Sequence, residues 1–226
     1  MTTYKEVFPH KQSLLVVVHI ENIQQTLENV QIAHNAGADG VFLIDHEGSR
    51  EVLAADAVHE YFPDVWIGVN RLGQPVETRF KGLPPHVRGV WADNAFIDET
   101  SEFQRYAGDI NSYRERDHWE GLYFGGVAFK YQRHVTDLEA AVQKASLYMD
   151  VICTSGPGTG RAAGPEKIRR MKAASDRPIA IASGVTPENV GDYPDADCFL
   201  VATGISRSFH ELEPERVKAL VRKLER

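Results

Sequence analysis

The stretch from Asp150 to Ser208 most tightly limits what this chain can fold into. Three short apolar runs sit in it: Val151–Cys153, Pro178–Ala182 and Cys198–Ala202. Each is too short for an ordinary helix and rich in Val and Ile, so each reads as a strand buried on both faces. Each ends in small residues: Thr154-Ser155-Gly156, Ser183-Gly184 and Thr203-Gly204. Helical or capped segments lie between them, which is the strand–helix–strand rhythm of a parallel sheet.

The rest of the chain keeps that rhythm. Strands are predicted at Leu14–Ile20, Val41–Ile44, Val65–Val69, Gly89–Ala92 and Leu122–Phe129. Helices are predicted over Asn22–Asn35, from a Ser49 cap to about Tyr61, from Glu99 to Arg116, over Asp137–Met149 behind a Thr136 cap, and over Pro214–Leu224. A weak helix after the third strand stops at Gly82-Leu83-Pro84-Pro85. Gly125 and Gly126 inside the fifth strand suggest a bulge or a close ligand approach. Eight strands alternating with eight helical segments in 226 residues predict an α/β fold, a single (β/α)8 TIM barrel spanning residues 1–226. An open doubly wound sheet is the alternative, but no Gly-x-Gly-x-x-Gly follows the first strand.

In such barrels the loops after the last two strands commonly bind phosphate. Ser183, Gly184 and Val185, with Thr203, Gly204, Ile205 and Ser206, are placed for this. Glycine lets an oxygen approach a backbone N–H, and Gly204–Ser208 could form a short helix aimed at an anion. The plainer reading is a pair of tight strand-to-helix turns. Their joint occurrence at the last two strand ends favours phosphate.

These pieces resemble the BtpA/SgcQ family, within the ribulose-phosphate-binding (β/α)8 barrels. The matching residues are Thr154-Ser155-Gly156-Pro157-Gly158-Thr159-Gly160, Ser183-Gly184-Val185-Thr186-Pro187-Glu188-Asn189-Val190 and Val201-Ala202-Thr203-Gly204. Val18-His19-Ile20 and Gly37-Ala38-Asp39-Gly40-Val41 are a weaker echo. The resemblance implies the barrel, and a Lys-His pair after the fifth strand. Here that stretch is Phe129-Lys130-Tyr131, without the His. The family's link to photosystem biogenesis implies a second possibility, a catalytically idle assembly factor.

Composition narrows the partners. A net charge of −7 leaves no basic stripe for nucleic acid. Cys153 and Cys198 fall inside strands and read as small buried hydrophobes. No apolar run approaches a membrane span, and the N-terminus lacks a signal-peptide core. A cytoplasmic protein is expected, with a phosphorylated small molecule as partner, no nucleic acid and no membrane span; association into a homo-oligomer stays open.

Catalytic groups in a barrel come from the C-terminal ends of different strands. Those ends supply His19 and Glu21, Asp45 and His46, Asn70 and Arg71, Asp93 and Asn94, Lys130, and Ser155 with Gly156. Asp45, Asp93, Lys130, Glu21 and His19 are the catalytic candidates. Asn70, Arg71, Ser155 and Gly156 are the substrate-binding ones. His46, pointing opposite to Asp45, reads as rim. Each has a structural alternative: Asp45 as a helix cap, His19 as a satisfied core histidine, Glu21 as a first-turn charge, Lys130 as a solvated amine. Arg71, Arg133, Arg161 and Arg207 are loop cations suited to clamp phosphate. His19, Asp45, Asp93 and a water could build a mixed metal site, but no compact metal motif occurs, so no metal and no cofactor is expected. The expected chemistry is acid–base proton transfer on a phosphorylated sugar or related metabolite, of isomerase, epimerase or aldol-lyase type. A pair of carboxylates serving glycosyl or phosphoribosyl transfer is the other enzymatic reading.

Overall fold

The computed structural model describes residues 3–47 and 50–225. Eight parallel strands close into one barrel in chain order. They are β1 (Ser13–His19), β2 (Gly40–Ile44), β3 (Ile67–Asn70), β4 (Val87–Ala92), β5 (Leu122–Gly126), β6 (Val151–Thr154), β7 (Ile179–Ile181) and β8 (Cys198–Val201). Closure is the pairing of β1 with β8, from Ser13 opposite Cys198 to Val16 opposite Val201. The expected single (β/α)8 architecture is therefore the observed one.

Helices cover the outside: α1 (Tyr4–Val7), α2 (Ile23–Ala36), α3 (Glu51–Tyr61), α4 (Arg105–Gly108), α5 (Ile110–Arg116), α6 (Leu138–Ala145), α7 (Pro165–Ala173) and α8 (Pro214–Val221). The layer is thinner than expected. Only 3-10 turns, Val76–Thr78 and Val190–Asp192, follow β3 and β7. Prolines and glycines in both connections interrupt any longer helix. The α6 helix is capped by Asp137, whose side chain accepts from the Ala140 N–H, and not by Thr136. Thr136 instead donates to Glu99. The expected Ser49 cap lies outside the described residues.

Two apolar layers follow from strand alternation. Leu14, Val16 and Val18 face the helices, and Leu15 and Val17 face the barrel interior. Large rings fill the interior: Phe42 meets Trp66, Trp91 and Phe124 at centroid separations of 5.4, 5.8 and 5.1 Å. Glycines make the room. A Cβ on Gly68 would sit 2.3 Å from the Phe42 ring, and one on Gly89 would sit 2.2 Å from Trp66. At the N-terminal end, α1 plugs the barrel, with Phe8 against Trp66 and the Tyr4 hydroxyl donating to the Asp197 carbonyl.

Strand β5 is shorter than expected. Val127 still donates to the Cys153 carbonyl, but Ala128 turns to φ +49° and leaves the sheet. Lys130 therefore rides on a loop and does not end a strand. Gly126 marks neither a bulge nor a ligand approach, since a Cβ there would lie 1.8 Å from the Asp93 carbonyl oxygen. It lets the end of β4 lean against β5.

The interior packing predicts a large cost for truncation. Phe42→Ala should lower unfolding free energy by about 3–5 kcal/mol, read by urea denaturation. An unchanged midpoint would mean that this ring does not key the interior.

Candidate functional site at the barrel mouth

The alternation that fills the interior decides which side chains reach its open end. Inward positions Leu15 and Val17 continue to His19, Phe42 and Ile44 to His46, and Ala180 and Ala182 to Gly184. These residues converge, with Asn70 on β3 and Asp93 just past β4, around a cavity of about 170 Å³ beyond the strands' C-terminal ends. Lys130, Ser183, Thr203, Gly204 and Phe209 also line it.

The cavity has three distinct walls. One is a carboxyl. Asp93 accepts a 2.9 Å hydrogen bond from Asn70 Nδ2. Burial raises its pKa, outweighing that bond and the charges of Lys130 and Arg79. A second wall is imidazole. His19 Nδ1 and His46 Nε2 lie 2.8 Å apart, so one ring donates to the other. Phe209 stacks on His19 at 4.3 Å, and His210 Nδ1 reaches the His19 carbonyl at 3.2 Å. Burial, then repulsion from His46, His210 and Lys130, lowers the His19 pKa to about 4.

The third wall is backbone. The N–H groups of Gly184, Thr203 and Gly204 meet no acceptor among the described residues. Gly184 and Gly204 are buried, and buried amides without a partner are rare in folded proteins. Both glycines are also demanded by packing. A Cβ on Gly184, at φ +69°, would lie 2.1 Å from the Ala162 N–H nitrogen, and one on Gly204 would lie 1.8 Å from the Val185 carbonyl oxygen. Close contact between the loops after β6, β7 and β8 thus leaves these amides uncovered.

Several expected site residues stand elsewhere. Asp45 follows inward-facing Ile44 and so points outward. Its carboxylate is gripped by Arg50 Nε and Nη2 at 2.8 and 2.9 Å and by the N–H groups of Glu47 and Arg50. Arg50 holds its pKa far below the usual range, and it closes the turn into α3 without lining the cavity. Glu21 is exposed beside the mouth. Arg71 pairs with buried Glu51 at 3.0 Å and with the carbonyls of Thr78, Arg79 and Lys81. Arg133 pairs with Glu99 and Asp98, and Arg207 with Glu211. Arg71, Arg133, Arg161 and Arg207 do not line the cavity. Val185 and Ile205 are buried in the outer apolar layer. Ser183 and Ser206 donate their hydroxyl protons to the Gly158 and Ala202 carbonyls. The short helix expected over Gly204–Ser208 is one 3-10 turn, Thr203–Ile205. Ser206 is extended and bridges Leu212, which reverses the chain before a helix can grow.

Ser155 and Gly156 line a separate, larger groove of about 580 Å³ between the loops after β5 and β6. Lys130 lines both spaces. Lys167, in the first turn of α7, also lines the groove and was not singled out from sequence. Its Nζ donates to the Ala128 and Ser155 carbonyls at 2.6 and 2.9 Å, and burial lowers its pKa to about 8. His46 is the other residue that sequence reasoning set aside. Among the described residues no group of three or more His, Cys, Asp or Glu side chains could hold a metal.

Two titration and stability outcomes follow. His19 should stay neutral at pH 6 and titrate near pH 4, read from its imidazole nitrogen shifts; an ordinary midpoint near 6.5 would contradict the buried pair. Its folded value lies below the unfolded one, so the unfolded chain binds the extra proton between about pH 6.5 and 4. His19 therefore weakens the fold as pH falls through that window. Asp45→Asn should cost about 1.5–3 kcal/mol in urea unfolding, because Arg50 and two amides lose a charged acceptor.

No family model matches the chain, and no curated protein matches it. Solved structures do resemble it. The native KDPGal structure aligns at 17% identity over 94% of both chains, with a TM-score of 0.66. The (S)-3-O-geranylgeranylglyceryl phosphate synthase from Thermoplasma acidophilum, in complex with sn-glycerol-1-phosphate, aligns at 14% identity over 100% of this chain and 99% of that one, with a TM-score of 0.67. Phosphoribosyl anthranilate isomerase from Thermus thermophilus aligns at 17% identity over 92% and 96%, with a TM-score of 0.65. At these identities the likeness establishes a shared fold, a single eight-stranded TIM barrel.

Proposed function

We propose that this chain is an enzyme that moves protons on a phosphorylated sugar or related small metabolite, by isomerase, epimerase or aldol-lyase chemistry. The observation that carries the reading is the meeting of two features in one cavity: unpaired amides on one side, and Asp93 with Lys130 on the other. The phosphate accepts from the N–H groups of Gly184, Thr203 and Gly204 and from the free Thr203 hydroxyl. With the phosphate anchored there, the carbon chain runs across the barrel axis toward the ends of β3, β4 and β5.

Asp93 is the proton acceptor. Its raised pKa makes it a stronger base than a solvated carboxylate, while Asn70 holds its orientation. It takes a proton from the carbon beside a carbonyl. The C–H electron pair becomes a C=C bond, and the carbonyl oxygen becomes an enolate oxygen stabilised by the Lys130 ammonium. A Schiff base on Lys130 is a variant in which the same electron pair moves into the iminium. His46, backed by His19, stands on the opposite wall as the group that returns a proton. The neighbours agree with this in general kind: one is a synthase bound to sn-glycerol-1-phosphate and another is a phosphoribosyl anthranilate isomerase.

The two-carboxylate alternative loses its second member, because Asp45 is held by Arg50 away from the cavity. The assembly-factor alternative that came with the BtpA/SgcQ resemblance does not call for an open mouth lined by Asp93 and Lys130. Among the described residues no helix is long and apolar enough to cross a membrane.

A panel of sugar phosphates, each beside its unphosphorylated sugar, tests the reading. At saturation a phosphorylated ligand should raise Tm by roughly 5 °C or more, and the sugar without phosphate should not. For the ligand that binds, Asp93→Asn and Lys130→Met should each slow exchange of its carbon-bound proton with deuterated solvent by about 100-fold or more, and leave the thermal shift in place. Full exchange in both variants would contradict the mechanism. Equal shifts from phosphorylated and plain sugars would contradict the phosphate site.

A further inference from the structure

The groove between the loops after β5 and β6 is unusual for a chain carrying a net charge of −7. Lys130, Arg133, His134, Lys167 and Arg170 contribute to its walls, and no Asp or Glu does. Two of these cations are already neutralised: Arg133 by Glu99 and Arg170 by Glu139. Neither Lys130 nor Lys167 is salt-bridged among the described residues: Lys130 is felt by the Asp93 carboxyl across the mouth cavity, and Lys167 by no carboxylate. Lys167 Nζ gives two of its three protons to the Ala128 and Ser155 carbonyls and leaves the third without an acceptor. A lysine serving only as a cross-link between loops has no need of a carboxylate-free groove beside it. Burial without an anion is what holds its pKa at about 8.

The backbone around the groove is arranged in the same sense. The α7 helix starts at the groove with Gly164 in the capping position. Pro165 has no N–H and the Lys167 N–H donates to the Gly164 carbonyl, so of the first three residues only Glu166 keeps an N–H without an acceptor. Ala128 and Tyr131, on the facing loop, hold φ values of +49° and +60°. Such conformations cost energy in non-glycine residues and persist where surrounding structure imposes them. The Ser155 hydroxyl accepts the Lys130 N–H at 2.7 Å, and the Tyr131 hydroxyl accepts the Thr159 N–H at 3.2 Å. These bonds fix Lys130 on the divide between groove and mouth cavity.

We infer that the groove holds a second anionic group of the substrate, so that the substrate class is a phosphorylated metabolite bearing a further acid group at its other end. The Lys167 amine and the Glu166 N–H bind that group, and Lys130 lies between it and the reacting carbon. The inference rests on the phosphate reading of the mouth, because it is the anchored phosphate that makes this anion the second one. The shared ligand chemistry is an oxyanion, supplied by either a carboxylate or a phosphoryl group.

Amide-resolved NMR titration separates the two sites and the two sources. Inorganic phosphate and acetate are titrated in parallel into the intact chain. Saturable shifts are expected at Glu166 and Lys167, with a midpoint separate from that of the phosphate shifts at Gly184 and Gly204. The anion that saturates the groove at the lower concentration identifies the acid group. Lys167→Met should weaken the groove midpoint by at least about 10-fold and leave the Gly184 and Gly204 midpoint within twofold. Lys167→Arg should retain groove binding. No saturable shift at Glu166 and Lys167 in the unmodified chain, for either anion, overturns the inference even if Gly184 and Gly204 respond. Groove shifts that survive Lys167→Met also overturn it. Silence at Gly184 and Gly204 overturns the phosphate reading of the mouth instead.

Discussion

Alternation inside the closed barrel is the constraint on which everything else depends. Each strand is covered on both faces, by helices outside and by rings inside, so the chain must decide at every residue which face it serves. The decision is made by size. Phe42, Trp66, Trp91 and Phe124 fit the interior only because Gly68 and Gly89 face it without side chains. Once the rings are inward, the parity of every strand is set, and so is the list of side chains at the mouth. Shifting β2 by one residue would bring Asp45 to the cavity and send His46 out.

The electrostatics of the mouth follow from that parity. Burial at the mouth raises Asp93 and lowers His19. Both groups are pushed toward their neutral forms, which suits proton transfer between them and a substrate. Several charged groups near the mouth that do not serve the cavity are paired away from it: Asp45 with Arg50, Arg71 with Glu51, and Arg133 with Glu99. Lys130 and Lys167 carry no salt bridge among the described residues, and both face space large enough for a ligand.

Much of this was legible in the sequence. The eight apolar runs and their small-residue ends announce the barrel, and Asp93, Asn70, His19, Lys130, Gly184 and Gly204 were all singled out by ending or following those runs, although Lys130 proves to sit on a loop beyond β5. The face was not legible. In Gly40-Val41-Phe42-Leu43-Ile44 both faces are apolar, so hydrophobicity cannot say whether Asp45 or His46 points inward. Counting from the bulky Phe42 would have favoured His46. Lys167 was hidden for another reason: it lies in a helix whose other charges are solvated, and only the fold brings its amine under Ala128. The glycines had two meanings at once. Gly126, Gly184 and Gly204 are small because backbone crosses within contact of their Cα atoms, and at Gly184 and Gly204 the same crossing leaves amides bare.

The central claim is that those bare amides form an oxyanion cradle facing Asp93. A crystal structure of the chain soaked in inorganic phosphate tests it most directly. The account predicts a phosphate at the mouth with oxygens within hydrogen-bond distance of the Gly184 and Gly204 nitrogens, about 2.7–3.2 Å, and on the side of the cavity away from Asp93. Phosphate bound elsewhere with the mouth left to water, or seated against His19 and His46 without touching either glycine, would contradict it.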